Sequence, residues 1–425
     1  MHTVHPMRET LHNEVHARPY ERMTAPLLIT HVAMVGGDGA AVREHLSALL
    51  GARHLPVPAP EAGHVSLDLG DVHLRWELHT EFSTYAFWRQ TAETPTGFDA
   101  MPIADLPRDW LDTLPGQWLV GLHVLVKPAI TPRTELPPMV RQQLREDGLV
   151  GARVMDASAD VYTDFRLGAD GFARWVVVAG DMTPRRLGRL VQRLLEIETY
   201  RMVALLGLPT AREIGRALGS AERDLADVAD RIRTARSSEE PELLRQLTRL
   251  AAEVEGLYAR THSRLSASAA YFELMQRRID ELREERVHAL QTFGEFMDRR
   301  LRPAMQTCAW ASRRQQALSE RISRVSNLLR TRVEIEQQQS NQSLLDAMNR
   351  RQKAQLMLQS AVEGLSVAAV TYYGAGLVGY LAKGAKSLGL DIAPDVASAV
   401  SIPFIAFAVW LGVRALHREA QAASH

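Results

Sequence analysis

Apolar positions change their spacing twice along the chain, and each spacing predicts a different kind of element. Up to about residue 180 they come in short runs. Leu27 to Val35 (LLITHVAMV) is continuous and predicts a buried strand. Gly36-Gly-Asp-Gly then leads into a helix over Ala40 to Leu50. His64 to Leu69 and Val72 to His79 flank Gly70-Asp71, the pattern of a β-hairpin. Trp118 to Val126, Ala152 to Asp156, Val161 to Phe165 and Trp175 to Val178 supply further strands, with a helix near Pro138. Strands with interspersed helices imply an α+β domain over residues 1–182, a mixed sheet with helical cover.

From residue 183 to about 357 the period becomes helical. Thr183 can cap a helix whose first turn holds Pro184, and Leu187, Leu190, Leu194, Ile197 and Met202 form its stripe. Gly207 and Pro209 are expected to end it, and Thr210 with Glu213 forms a capping box for the next helix. Ser237-Ser-Glu-Glu-Pro241 breaks the chain again. Between Glu242 and about Arg300 no proline intervenes, and Leu243, Leu247, Leu250, Val254 and Leu257 recur. Beyond Pro303 the next proline is Pro394, so one helix is expected to run from Ala304 to about Ala382. Its Leu318, Ile322, Val325, Leu329, Leu345, Met348 and Leu356 form an approximate coiled-coil stripe, weakened at Glu334 to Asn341. This is the pattern of a long helical, coiled-coil stalk.

The last regime is continuous apolarity over residues 358–418. Ala361 to Ala382 carries one charge, Glu363, and Val396 to Leu416 carries one, Arg414. About 20 mostly apolar residues suffice to cross a bilayer. The short polar connection between the two spans predicts an antiparallel transmembrane hairpin. Arg350, Arg351 and Lys353 precede the first span, Arg414 and Arg418 close the second, and Lys383 and Lys386 lie between. That balance places both termini, including a tail over 419–425, in the cytoplasm. Gly364, Ala368, Thr371, Ala375 and Gly379 recur at three- and four-residue steps. Small residues so spaced let helices approach closely, either within the hairpin or between copies of the chain. Ser366, Thr371, Tyr372 and Tyr373, with Gly374 beside them, are the polar or permissive positions that a pore would use.

Composition narrows the field. The 425 residues carry 50 basic and 50 acidic side chains, so the net charge is zero and the basic excess of a nucleic-acid binder is absent. A single cysteine, Cys308, excludes an intrachain disulfide and suits a reducing compartment. The first residues lack the apolar core of a secretory signal. Together with the two spans these lead us to expect a cytoplasmic (inner) membrane protein, with a lipid bilayer as partner and a homo-oligomer through the small-residue face.

Candidate chemistry is sparse. His12 and His16, at i, i+4 spacing, can chelate a divalent cation if both lie on one helix, but no HExxH is present. The glycine turn after the first strand fits neither phosphate-loop pattern. His73, Arg75, Glu77 and His79 alternate with Val72, Leu74, Trp76 and Leu78, as in a half-solvated strand. The same polar face could instead bind an anionic ligand or a partner strand. No nucleophile–base pair is readable, so an enzyme is the least supported class.

Four runs carry a family resemblance: LHNEVHARP from Leu11, RWELHTEFSTY from Arg75, LVQRLLEIETYRMVALLGLP from Leu190, and MNRRQKAQLMLQSAVEGLSVAAVTYY from Met348. They resemble a bacterial family of membrane-anchored proteins, domain of unknown function 3422, over nearly the whole chain. That resemblance implies no activity. The order of parts also resembles CorA-type magnesium channels: an α/β domain, a stalk helix continuous with the first span, and a second span ending in basic residues. Those channels end their first span in Tyr-Gly-Met-Asn. Here Tyr373-Gly374 lies mid-span and Ala375-Gly376 follows, so the resemblance implies topology without magnesium selectivity. A membrane-tethered scaffold or regulator and a CorA-like homo-oligomeric channel or transporter are the two functions that fit this architecture.

Overall fold

A computed structural model describes residues 4–14, 19–129, 135–388 and 393–422. Its strands are β1 (Leu27–Val35), β2 (His64–Asp68), β3 (His73–Leu78), β4 (Phe82–Gln90), β5 (Gln117–Pro128), β6 (Val150–Val154), β7 (Ala159–Leu167), β8 (Ala173–Ala179) and β9 (Glu285–Arg286). Its helices are α1 (Arg8–Glu14), α2 (Gly39–Ala52), α3 (Arg108–Asp112), α4 (Pro138–Gln143), α5 (Pro184–Leu205), α6 (Gly207–Thr234), α7 (Glu240–Leu282), α8 (Phe293–Arg300), α9 (Arg302–Ser387) and α10 (Pro394–Ala422). The chain divides into two compact units, Met1–Thr234 with Glu242–Ser326, and Ala235–Pro241 with Asn327–His425.

The first unit is built on one mixed sheet in the order β2-β3-β4-β1-β5-β8-β7-β6-β9. Every pairing is antiparallel except β5 with β8. β1 is an interior strand between β4 and β5 and is buried on both faces, which is why its sequence shows no polar alternation. Val32 and Met34 face a core with Leu46 and Leu50 of α2, Leu74 and Trp76 of β3, Tyr85 and Phe87 of β4, and Trp110 of α3. Asp38 caps α2 by accepting from the Ala41 amide, so the glycine turn serves helix entry.

α5 covers the opposite face. It opens as expected at Thr183, whose side chain accepts from the Arg186 amide, and it buries Leu187, Leu190, Leu194 and Ile197. Three helices then pack side by side. α6 contributes Ile214, Leu218, Leu225 and Val228, α7 contributes Leu243, Leu247, Leu250 and Val254, and α9 contributes Met305, Cys308, Leu318 and Ile322, all buried.

The structure departs from the sequence expectations at three places here. β4 was not anticipated, and it lies between β3 and β1. α6 begins at Gly207, so the Thr210–Glu213 box lies inside the helix. Pro209 is tolerated because the first-turn amides of a helix lack intrahelical acceptors. The expected helix from Glu242 to Arg300 stops at Leu282, and the chain returns to the sheet through β9, which pairs with β6. Aromatic packing anchors that return: Phe293 stacks on Trp175 at 5.2 Å and Phe296 on Phe165 at 4.6 Å between ring centroids.

The second unit holds the apolar helices. α9 and α10 are long and apolar enough to cross a membrane, with best windows of mean hydropathy 1.4 and 2.1. Only 17% of the first window and none of the second is buried. Val362, Leu365, Val370, Leu377 and Leu381 on α9, and Phe404, Phe407 and Trp410 on α10, are exposed. Core helices of a soluble domain would bury such residues. The buried positions on this part of α9 are Thr371, Ala375, Gly379 and Ala382, four small residues at helical spacing. A methyl group on Gly374 would meet Ile405 Cγ2 at 3.1 Å, and one on Gly379 would meet Ser398 Oγ at 2.4 Å. Small residues thus let α9 and α10 approach closely.

Candidate functional site

The polar face of β3 is the best-formed site in the sheet-bearing unit. Pairing registers place Arg75 beside Ala86 of β4, and Ala86 beside His31 of β1. Glu77 pairs with Thr84 in the neighbouring row. α5 and residues 19–23, an N-terminal strap, cover these rows. Together they enclose a cavity with about 50 Å³ of free space. His31, Arg75, Glu77, His79, Thr199 and Tyr200 line it with Glu21, Thr84, Gln192, Glu196 and an apolar remainder.

The expected half-solvated strand is therefore corrected. Arg75 is buried at 7% exposure, and Glu77 and His79 are half-buried. Of the predicted polar face only His73 is exposed, stacked on Trp88 with 5.3 Å between centroids. The alternation was right, but α5 and the strap lie where solvent was expected.

A buried guanidinium needs partners for its charge and its donors. Arg75 donates from Nε and Nη2 to Glu77 Oε1 at 2.9 and 2.6 Å, and from Nη1 to the Pro19 carbonyl at 2.7 Å and Glu21 Oε1 at 3.5 Å. His79 Nε2 lies 3.4 Å from Glu77 Oε2. Arg75 thus ties the strap to the sheet. Gly188 of α5 makes the same closure possible, because a methyl group there would sit 1.8 Å from the Glu21 carbonyl oxygen. Outside the lining, Arg278 of α7 pairs with Glu196, and Arg264 pairs with Glu81 at 3.1 Å.

Burial sets the titration of this face. Desolvation lowers His31 to about 4, against a smaller raising effect of Glu77. Burial pushes the Glu77 carboxyl up, but hydrogen bonds from His79 and Arg75 and their nearby charges outweigh it and hold it at about 2. Burial also raises Tyr200 well above an ordinary phenol. On the opposite sheet face, desolvation lowers His123 to about 4. The unfolded chain protonates each imidazole near 6.5, while the folded one stays neutral until about 4. Between those values the unfolded state binds more protons, so stability rises with pH. Lowering the pH from 7 to 4 is expected to cost roughly 3 kcal/mol per histidine, and Glu77 adds a further loss as pH falls from its unfolded value toward 2. Thermal midpoints across this range check the effect. His31→Gln should flatten the slope between pH 6.5 and 4, and an unchanged slope would assign the loss elsewhere.

Chemically the lining offers acceptors and few free donors. Among the described residues, no group of three or more His, Cys, Asp or Glu is placed to hold a metal ion. The sequence profile of a family described as a protein of unknown function, DUF3422, matches residues 3–420. The chain belongs to the DUF3422 family. No curated protein and no solved structure matches it.

Among the described residues, the others singled out in this DUF3422 chain are not part of the cavity lining. His12 is exposed on α1, and His16 lies outside the described residues. Thr371, Ala375 and Gly379 are buried on α9, Gly374 lies beside Ile405, and Gly364 has nothing within 4 Å of an added methyl. Tyr372 and Tyr373 are 76% and 71% exposed. Sequence inspection missed His31, Thr199, Gly188 and Glu21. One signal was available: His31 is the lone ionisable residue in the apolar run LLITHVAMV, and a buried histidine needs a partner.

Proposed function

We propose that the protein is an integral membrane protein in which a soluble α+β body is tethered by a C-terminal hairpin and acts as a scaffold or regulator. The observation that carries the proposal is the exposure of the two apolar helices, 17% and 0% buried over windows long enough to span a bilayer. Lipid is the partner that such surfaces fit. In this proposal residues 361–382 and 396–416 are the spans, the short connection faces outward, and both termini lie in the cytoplasm of a bacterial cell. The contacts of Gly374 with Ile405 and Gly379 with Ser398 support an antiparallel hairpin, since the partner number falls as the α9 number rises.

A CorA-like homo-oligomeric channel is the second reading. The uninterrupted α9, Arg302–Ser387, favours it, because such a helix could carry movement from a soluble domain into a span. The exposed Tyr372 and Tyr373 would then face a neighbouring copy or a pore. The mass of the full chain in nanodiscs separates the two. A tethered scaffold is expected as a monomer or dimer, which leaves no central pore for two spans per chain. A ring of about five copies would replace the scaffold with the channel.

A further inference from the structure

His31 and Gln192 hold the cavity's unmet hydrogen-bonding demand: Gln192 Oε1 and one ring nitrogen of His31 are buried without a partner. Nε2 of His31 lies 2.9 Å from Thr199 Oγ1, and Thr199 donates its one hydroxyl proton to the Leu195 carbonyl at 2.8 Å. The threonine oxygen can therefore only accept, so His31 carries its proton on Nε2. Nδ1 is left as a bare lone pair. It is buried, on a side chain that is 4% exposed, and it has no hydrogen-bond partner. A buried acceptor of this kind calls for a donor.

The remaining lining narrows the donor's character. Each Arg75 nitrogen is already engaged by Glu77, Pro19 or Glu21, so an anion would find no nitrogen uncommitted. Glu21, Glu77 and Glu196 bring three carboxylates to the lining; Arg75 and the His79 imidazole lie against Glu77, and Arg278 pairs with Glu196 from outside. The buried bare acceptors, His31 Nδ1 and Gln192 Oε1, call for a donor-bearing guest rather than an anion. The free space, about 50 Å³, admits roughly three to five water-sized groups and excludes a nucleotide or a sugar. A metal ion fits poorly, because no three ligating side chains converge among the described residues.

We propose that this cavity binds a small ammonium-type cation, an ammonium ion or a short protonated primary amine, which donates one N–H to Nδ1 of His31 and is balanced by the lining carboxylates. The imidazole stays neutral at physiological pH because burial holds it down, so its lone pair remains available. Thr199 acts as a positioning residue that fixes the tautomer. Glu77 supplies charge while it anchors Arg75. The proposal does not depend on the membrane reading, since every lining residue belongs to the sheet-bearing unit.

The test uses the full chain in nanodiscs with nitrogen-15-labelled histidine, near neutral pH and at constant ionic strength. Ammonium, methylammonium, potassium and tetramethylammonium chlorides are titrated in turn. The first two should move the His31 Nδ1 resonance saturably and raise the thermal midpoint. Potassium and tetramethylammonium, which have no N–H, should do neither. His31→Phe, which keeps ring volume without the acceptor, should weaken ammonium binding roughly tenfold or more. Thr199→Val should weaken it less, with the Nε2 and Nδ1 signals exchanging tautomers. If His31→Phe does not fold, the wild-type resonance decides alone. An Nδ1 signal unmoved by ammonium, or moved equally by potassium, would overturn the proposal and leave the cavity to water.

Discussion

Replacing Val370 and Phe407 by arginine is expected to release the protein from the membrane fraction. Both side chains are exposed, 50% and 60%, and both lie near the middle of an apolar run. An arginine at the centre of a span costs about 2.5–3.5 kcal/mol of insertion free energy. Two such charges shift the partition by on the order of a thousandfold or more. The single variants should differ. The α9 window has the lower mean hydropathy, 1.4 against 2.1, so Val370→Arg should release more protein than Phe407→Arg. Neither residue belongs to the sheet-bearing unit, so the released protein should keep the thermal transition of that unit. Sedimentation of both variants beside Val370→Leu checks this. Retention of the double variant in the pellet would argue that these helices are held by something other than hydrocarbon.

Gly188→Ala is expected to destabilise the sheet-bearing unit although it improves helix propensity. In an ordinary helix position alanine gains about 1 kcal/mol over glycine. At Gly188 the added methyl would lie 1.8 Å from the Glu21 carbonyl oxygen, a backbone atom that can yield only if the strap moves. Overpacking of this kind costs about 1–3 kcal/mol, and a displaced strap also takes the Pro19 carbonyl from Arg75. The net loss should be roughly 2 kcal/mol, or about 3 °C in the thermal midpoint of a unit this size. Limited proteolysis should show earlier cleavage near residues 19–26. A rise in midpoint would mean that the strap is not bound as described.

How much of this was legible follows from where each element gets its stability. β1 was readable to its last residue, because a continuous apolar run bounded by Gly36 has few other uses. The β2–β3 hairpin was readable because Gly70 sits at φ +96°, a conformation that favours glycine. β4 was missed although Phe82–Gln90 is rich in aromatic and β-forming residues. It is buried on both faces and shows no alternation, and it follows the charged stretch that ends at Glu81. β9, two residues long, exists only because β6 offers an edge, and no local pattern encodes that. The site was half legible. The period-two pattern named Arg75, Glu77 and His79 correctly as one face, but the cover is tertiary. Thr199 on α5 is separated from His31 by 168 positions, and only folding brings them together.

The apolar runs were legible for the opposite reason, since a span needs no tertiary partner to be recognised by length and hydropathy. Whether they cross a bilayer is decided by site-directed labelling. In a Cys308→Ser background, single cysteines are placed at Lys386, in the last turn of α9, and at Glu61, between α2 and β2. A membrane-impermeant maleimide is then applied to intact and to permeabilised cells. Lys386→Cys should be labelled from outside in intact cells and Glu61→Cys only after permeabilisation. Labelling of both positions from the same side would contradict the crossing.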